Sequence, residues 1–377
     1  MATTGTVRTR FFVISDTHGR ADSLPHSTPD NIDVVIHCGD LTDGSKVQEY
    51  KDTIQLLQEI KAPLKLVIAG NHDFTLDIPM FKKKIAEVKP TLDPALVERE
   101  YGYYGQARAL FDEVKDDGIT FLDEGTHHFT LSNGAALKVY ASPFTPSASD
   151  WAFEYSPDED HDWSIEKDTD IVITHGPPRG IFDMSNAQRL GSPSLFTAVA
   201  TTRPRMHCFG HVHSGWGAKL AAWRPRETIS GPPTHFNAFD HQKSVTIKTL
   251  SSLTRGKYDV ADIATAKADM LRTYLDRGFV CASDGASRCG MEEYTLFVNA
   301  AVQGVSDKLP VQLPWLVEVD LPLAPRATKQ PDQCSRTHDG HKSGDDGLGG
   351  YRGDKHGGDT EEGDGRNDGV SRKRLKT

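Results

Sequence analysis

Five short apolar runs, each cut off by a polar turn containing glycine, constrain this chain more than any other feature. RFFVIS (residues 10–15) ends in DTHG and IDVVIH (32–37) in CGD. LKLVIA (64–69) ends in GNHD, IVIT (171–174) in HGPP and MHCF (206–209) in GHVH. Unbroken Val/Ile runs of this length suit strands buried on both faces, as in a sheet covered by helices. Between the second and third runs, Val47, Tyr50, Ile54, Leu57 and Ile60 recur every three or four positions, which predicts a helix over 46–60. Further helices are expected over 106–114 and 194–201. The order β-α-β-α-β argues for α/β layers. After Gly118 the segments ITFLDE, HHFTL and ALKVYASP, with turns at 123–125 and 132–134, read as a meander. SVTIKTL, EYTLFVNAA and WLVEVDLP supply later strands. A long helix over 258–276 reads as an insertion spanning about 252–290. The expectation is one folded domain over 6–325.

The last 47 residues have a different composition. From Pro331 to Thr377 there are 11 glycines, 10 Asp/Glu and 9 Lys/Arg, with almost no aliphatic side chain. Such a segment cannot bury enough apolar surface to offset its ordering entropy, so it is expected to be a disordered tail. Its basic tip, SRKRLKT, could act as a nuclear import patch, and a merely solubilising tip is the equal alternative. No run of about 18 apolar residues is present, which argues against a membrane span. MATTGTVRTR lacks the apolar core of a secretion signal. A net charge of -10 gives no sign of nonspecific nucleic-acid binding. The five cysteines include no CxxC pair, and the bland reading is free thiols in a reducing compartment. The chain is therefore expected inside the cell, in the cytoplasm or, through the basic tip, the nucleus.

The five turns carry the chemistry. Asp16 and His18 are spaced i, i+2, as are His211 and His213. Asp40 follows a glycine at one strand end, Asn71 and His72 follow a glycine at the next, and His175 ends the fourth run. Ligands at the carboxyl ends of strands lie where open α/β sheets build their sites. Carboxylate, amide and imidazole together suit first-row divalent cations. Seven or eight such groups are too many for one cation, and two cations about 3.5–4 Å apart, bridged by a carboxylate, fit the number. Any one of these residues has an ordinary structural explanation, such as a capped turn or a bonded core histidine. The ordered set of five does not.

The series DTHG (16–19), GD (39–40), GNHD (70–73), His175 and GHVH (210–213) resembles the calcineurin-like metallophosphoesterase superfamily, over roughly residues 8–325. ITHGPPRGIFD, FGHVHSGWG and EYTLFVNAA resemble its metallophosphoesterase-domain-containing subfamily. The resemblance implies a four-layer α/β/β/α sandwich of two mixed sheets flanked by helices. It implies that Asp16, His18 and His213 bind one cation, that Asn71, His175 and His211 bind a second, and that Asp40 bridges both. It implies that His72 stands near the leaving-group oxygen, oriented by Asp73. The expected activity is hydrolysis of phosphodiester bonds, cyclic nucleotides among them, or of phosphomonoester bonds, by a hydroxide that two cations generate. Manganese is the first choice of cation, with iron, zinc or nickel also compatible. The expected partner is a small phosphate-ester substrate.

Two rival readings remain. A Ser/Thr protein phosphatase would read GDxVDRG and GNHE, whereas here the words are GDLTDGS and GNHDF. A metal-binding regulatory scaffold with little catalysis would be free to lose His72 or a ligand, and none is lost. His37 and His207 lie within strands and read as core or supporting residues. His127 and His128 read as ordinary strand residues, and His26 is undecided. Trp151, Phe153 and Tyr155 read as an edge strand or as a stacking wall for a nucleobase.

Overall fold

The computed structural model describes residues 5–20, 24, 28–282, 293–306 and 309–325. Residues 326–377, which include the expected tail over 331–377 and its basic tip, lie outside the described residues, as do His26 and Cys289.

All five apolar runs form strands, and they divide between two sheets. The first sheet orders its strands Val280–Cys281, Trp315–Pro322, Thr6–Ile14, Val34–His37, Leu64–Val67 and Ile119–Phe121. Thr6–Ile14 pairs antiparallel with Trp315–Pro322 and parallel with Val34–His37. The second sheet runs Phe239–Thr249, Gly217–Trp223, Tyr294–Asn299, Met206–Phe209, Ile171–Thr174, Ala136–Ser142 and Gly125–Thr130. Its central four strands are parallel and its outer pairings antiparallel.

Alternation along each strand builds the layers, because successive side chains point to opposite faces. Phe11, Val13, Ile36 and Leu66 from the first sheet share one core with Val139, Ile173, Cys208 and Val298 from the second. On the outer face of the first sheet, Phe12, Ile14 and Val35 pack with Tyr50 and Leu57 of helix Val47–Glu59 and Phe111 of helix Gln106–Glu113. On the outer face of the second, Val172, Phe209 and Phe297 meet Leu195, Phe196 and Val199 of helix Pro193–Thr202. The result is helix, sheet, sheet, helix.

Two local expectations need correction. The segment after Gly118 is not one meander. Ile119–Phe121 joins the first sheet parallel to Leu64–Val67, and only Gly125–Thr130 and Ala136–Ser142 form a hairpin, in the second sheet. Helices Ile78–Glu87 and Pro94–Tyr101 were not expected. The first fully buries only Phe81 and the second no residue, and their short stripes, Met80, Phe81 and Ile85 in one and Val97 and Tyr101 in the other, pack on a small separate cluster rather than on the main core. Both are started by an aspartate cap with proline in the first turn. The expected insertion helix runs Ala261–Arg277. Among the described residues, no helix is long and apolar enough to cross a membrane.

Candidate metal centre

Both sheets present the carboxyl ends of their parallel strands to one place. The turn after Thr6–Ile14 is laced to the turn after Val34–His37: Asp16 N donates to Gly39 O (2.9 Å) and His18 N to Asp40 O (3.1 Å). His211 N donates to the Asp16 carboxylate (3.0 Å), and His72 N donates to Asp40 Oδ1 (2.9 Å). This density requires very close approach. A Cβ on Gly70 would stand 2.3 Å from Asp40 N, and one on Gly210 would stand 2.0 Å from Ser15 Oγ. Asp16, His18, Asp40 and His211 all adopt left-handed backbone, with φ of 57°, 51°, 52° and 64°. Such conformations cost energy in non-glycine residues and gather at functional sites.

The seven candidate ligands converge as two groups. Asp16, His18 and His213 hold ligand atoms within 4.8 Å of one another, as do Asp40, His175 and His211. The Asn71 amide oxygen lies 2.8 Å from His175 Nε2 and 2.9 Å from His211 Nδ1, which puts it with the second group. Asp40 divides between the groups: Oδ1 is 3.4 Å from His175 Nε2, and Oδ2 is 3.8 Å from His18 Nε2. His175 Nδ1 donates to Cys38 O (2.9 Å), which leaves Nε2 to face the cluster.

The residues fit divalent cations. Both ring nitrogens of His18 are buried without a hydrogen-bond partner, and Asp16 and Asp40 are 0% and 2% exposed. Buried polar atoms without partners are costly unless something else satisfies them. The oxygen and imidazole donor set is that of borderline first-row cations. Electrostatics point the same way. Burial opposes ionisation of Asp16, yet the His213 hydrogen bond and charge bring it down to about 2. Burial would lower His175, but the Asp40 carboxylate and its hydrogen bond lift it to about 9. Burial and the neighbouring His175 bring His211 down to about 4.

Beside the first group lies a third, His18, Asp43 and His72. Asp43 was missed in the sequence, although it stands only three residues after Asp40. His72 Nδ1 donates to Asp43 O (2.7 Å), and Trp151 stacks on the imidazole at 4.5 Å. Asp73 was expected to orient His72 and does something else. Its Oδ2 accepts from Leu41 N and Gly70 N, and its Oδ1 from Thr42 N and Oγ1. With four donors filled, the carboxylate ties the GD turn to the GNHD turn. Asp43 and Trp151 therefore set the His72 ring. Of the three aromatic residues read as an edge strand or a nucleobase wall, Trp151 stacks on His72 and has the Lys84 ammonium 4.5 Å from its ring centre, Phe153 packs against Phe144, and Tyr155 packs against His161.

His37 and His207 are fully buried core histidines. Their Nε2 atoms bond Thr17 Oγ1 (2.9 Å) and Thr174 Oγ1 (2.8 Å), and burial lowers both to about 3. His127 bonds Asp123 O, outside the centre. A cavity of about 490 Å3, lined by Lys138, Asp170 and Arg205 among others, shares no described residue with the centre.

The calcineurin-like phosphoesterase family model matches residues 9–215. A human protein named metallophosphoesterase domain-containing protein 1 is 32% identical over 221 residues, which is 55% of this chain and 62% of that protein. A probable rhamnogalacturonate lyase C of Emericella nidulans is 31% identical over 217 residues, 57% of this chain but only 18% of that protein. A probable metallophosphoesterase of Methanocaldococcus jannaschii is 40% identical over 81 residues, 20% of this chain and 36% of that protein. The chain thus spans less than two thirds of the length of each of these relatives.

Proposed function

Because this chain belongs to the calcineurin-like phosphoesterase family, a metal-dependent family whose members act on phosphoester bonds, we propose that it hydrolyses phosphodiester bonds of small molecules, cyclic nucleotides among the candidates, with two divalent transition-metal cations. The observation that carries the dinuclear reading is the division of the Asp40 carboxylate, one oxygen toward each ligand group. Asp16, His18 and His213 would hold one cation, Asn71, His175 and His211 the other, and Asp40 both. Manganese is the first candidate for both positions. Bound there, the cations would supply charge to phosphate oxygens and acidify water near neutral pH.

The chain's own residues do the rest. Asp16 and Asp40 carry the buried negative charge that attracts the cations. Asp73 keeps the two central turns in register through its four hydrogen bonds. His72 donates its Nδ1 proton to Asp43 O, so Nε2 is the nitrogen that passes a proton to the leaving oxygen. Trp151 limits tilt of that ring. The test is a panel: protein reconstituted with manganese, iron, zinc or nickel, assayed on bis-aryl phosphates, mono-aryl phosphates and cyclic nucleotides. Turnover of diesters that disappears with chelation is the expected result. Turnover of none of them would sink the reading.

A further inference from the structure

Residues 178–192 leave strand Ile171–Thr174 and return as a closed loop. Arg179 N donates to Ser192 O (2.9 Å), and Ser192 N donates to Pro177 O (3.0 Å). Within it, Met184–Ser185 pairs with Gln188–Arg189 as a two-residue hairpin. Its turn residues Asn186 and Ala187 have φ of 48° and 63°, the doubly left-handed turn that matches strand twist.

The hairpin is fixed at its base and along one flank. Buried Asp183 accepts from Gly180 N (2.8 Å) and from the Arg189 guanidinium (2.7 Å). Ser214 Oγ donates to Met184 O (2.7 Å), directly after His213. A Cβ on Gly215 would stand 1.9 Å from Phe182 O, so loop and turn are in van der Waals contact. The hairpin tip is therefore held in a defined place relative to His213.

That tip overlooks a cavity of about 350 Å3, lined by Ser185, Asn186, Leu190, His211, Val212, His213, Ser214 and Val305. Its volume is at the small end of the small-molecule range. Two features decide what it can take. It opens directly on His211 and His213, one from each ligand group, whereas His72, Asp43 and Trp151 are not part of its wall. Among the described residues, no lysine or arginine lines it. Ser185 and Asn186 of the hairpin line it together with two aliphatic residues, Leu190 and half-exposed Val305.

We propose that this cavity receives the organic substituent that stays on phosphorus, an uncharged and hydroxyl-bearing group, and that it makes the chain selective for phosphodiesters. The inference rests on the phosphoesterase reading above. In hydrolysis, water oxygen bonds to phosphorus, the bond from phosphorus to the leaving oxygen breaks, and that oxygen takes up a proton. The second ester bond is untouched, so its substituent needs a place away from His72. A monoester carries a second negative charge instead of that substituent. A monoester therefore leaves the cavity unfilled, while Ser185, Asn186 and the aliphatic pair suit a neutral sugar-like group.

Three substrates with one leaving group test this: thymidine 5′-(4-nitrophenyl phosphate), methyl 4-nitrophenyl phosphate and 4-nitrophenyl phosphate. The metal-loaded protein is expected to prefer the thymidine diester over the methyl diester by roughly tenfold or more in kcat/KM, the scale of one well-filled pocket. Asn186→Trp fills the cavity from the hairpin and Val305→Trp from the opposite wall. Each should collapse that ratio to near one, and agreement between two separate elements guards against a folding defect in either. Calorimetric titration with dimethyl phosphate and thymidine 5′-methyl phosphate reads the same discrimination without turnover. Equal affinities, or variants that weaken all three substrates alike, would overturn the proposal. Discriminating binding without hydrolysis of any ester would remove the phosphoesterase reading and leave the cavity assignment standing.

Discussion

His72 and Asp73 are neighbours in sequence with different tasks. His72 Nδ1 is bound by Asp43 O and its ring by Trp151, so it sits beside the ligand groups without being needed by either. His72→Ala should keep the full metal content while the rate falls by roughly 10² to 10⁴, the usual worth of a positioned acid. Esters with poor alkoxide leaving groups should lose most and nitrophenyl esters least. Equal losses along a leaving-group series, with metal measured on the same samples, would contradict the acid role. Asp73→Asn should act through structure instead. An amide cannot accept on both atoms, so two of the four donors from Leu41, Gly70 and Thr42 lose their partner. The expected cost is about 1–3 kcal/mol in urea unfolding, with weakened metal retention. Protonation supplies a further test at this scale. His175 ordinarily titrates near 6.5 and is lifted here to about 9. A raised native value means that the native state holds its proton more tightly, so the contribution to stability is full below 6.5 and gone above about 9. Chelated protein should therefore lose stability from pH 7 to pH 9, and metal uptake over the same range should tighten as that proton ceases to compete. A flat profile for both would contradict the pairing of His175 with Asp40.

Strands and helices differ in how far they could be read in advance. The five strands before the ligand turns were legible because each is buried on both faces, which leaves an unbroken apolar word such as VVIH or MHCF. Helix Val47–Glu59 was legible through its buried Tyr50, Ile54 and Leu57. The helices over 78–87 and 94–101 offer only short stripes, Met80, Phe81 and Ile85 in one and Val97 and Tyr101 in the other, each broken near its start by a proline. Ile119–Phe121 is separated from Gly125–Thr130 by three residues, yet the two strands lie in different sheets, and nothing local marks the change. At the site, spacing identified the ligand candidates, because the i, i+2 pairs and the glycine turns are local features. The partners of His72 were not legible, since Trp151 approaches from 79 positions away and the donors that fill Asp73 are mostly backbone N–H groups. Leu57, fully buried on the outer face of the first sheet, separates stability from site chemistry. Leu57→Ala should cost about 2–5 kcal/mol in chemical denaturation. Metal content of the folded fraction should not change, because the helix touches the sheet on the face away from the second sheet.

The whole molecule works as two sheets that bring loops from both halves of the sequence to one edge. Asp16, His18, Asp40 and Asn71 come from the first sheet, and His175, His211 and His213 from the second. Neither sheet alone holds a complete ligand group, since Asp16 and His18 need His213 and Asp40 needs His175 and His211. Packing of the shared core, where Val13 and Ile36 meet Ile173 and Cys208, therefore fixes the spacing of the ligands. Closely spaced buried carboxylates and imidazoles are an expensive arrangement that two cations would offset. The most direct test is the metal stoichiometry of the saturated protein by elemental analysis, taken together with three alanine variants. The expected result is two cations per chain in the native sequence, at least one lost in Asp40→Ala, and one retained in both Asn71→Ala and His175→Ala. A single cation per chain that persists undiminished in Asn71→Ala and His175→Ala would contradict the dinuclear centre.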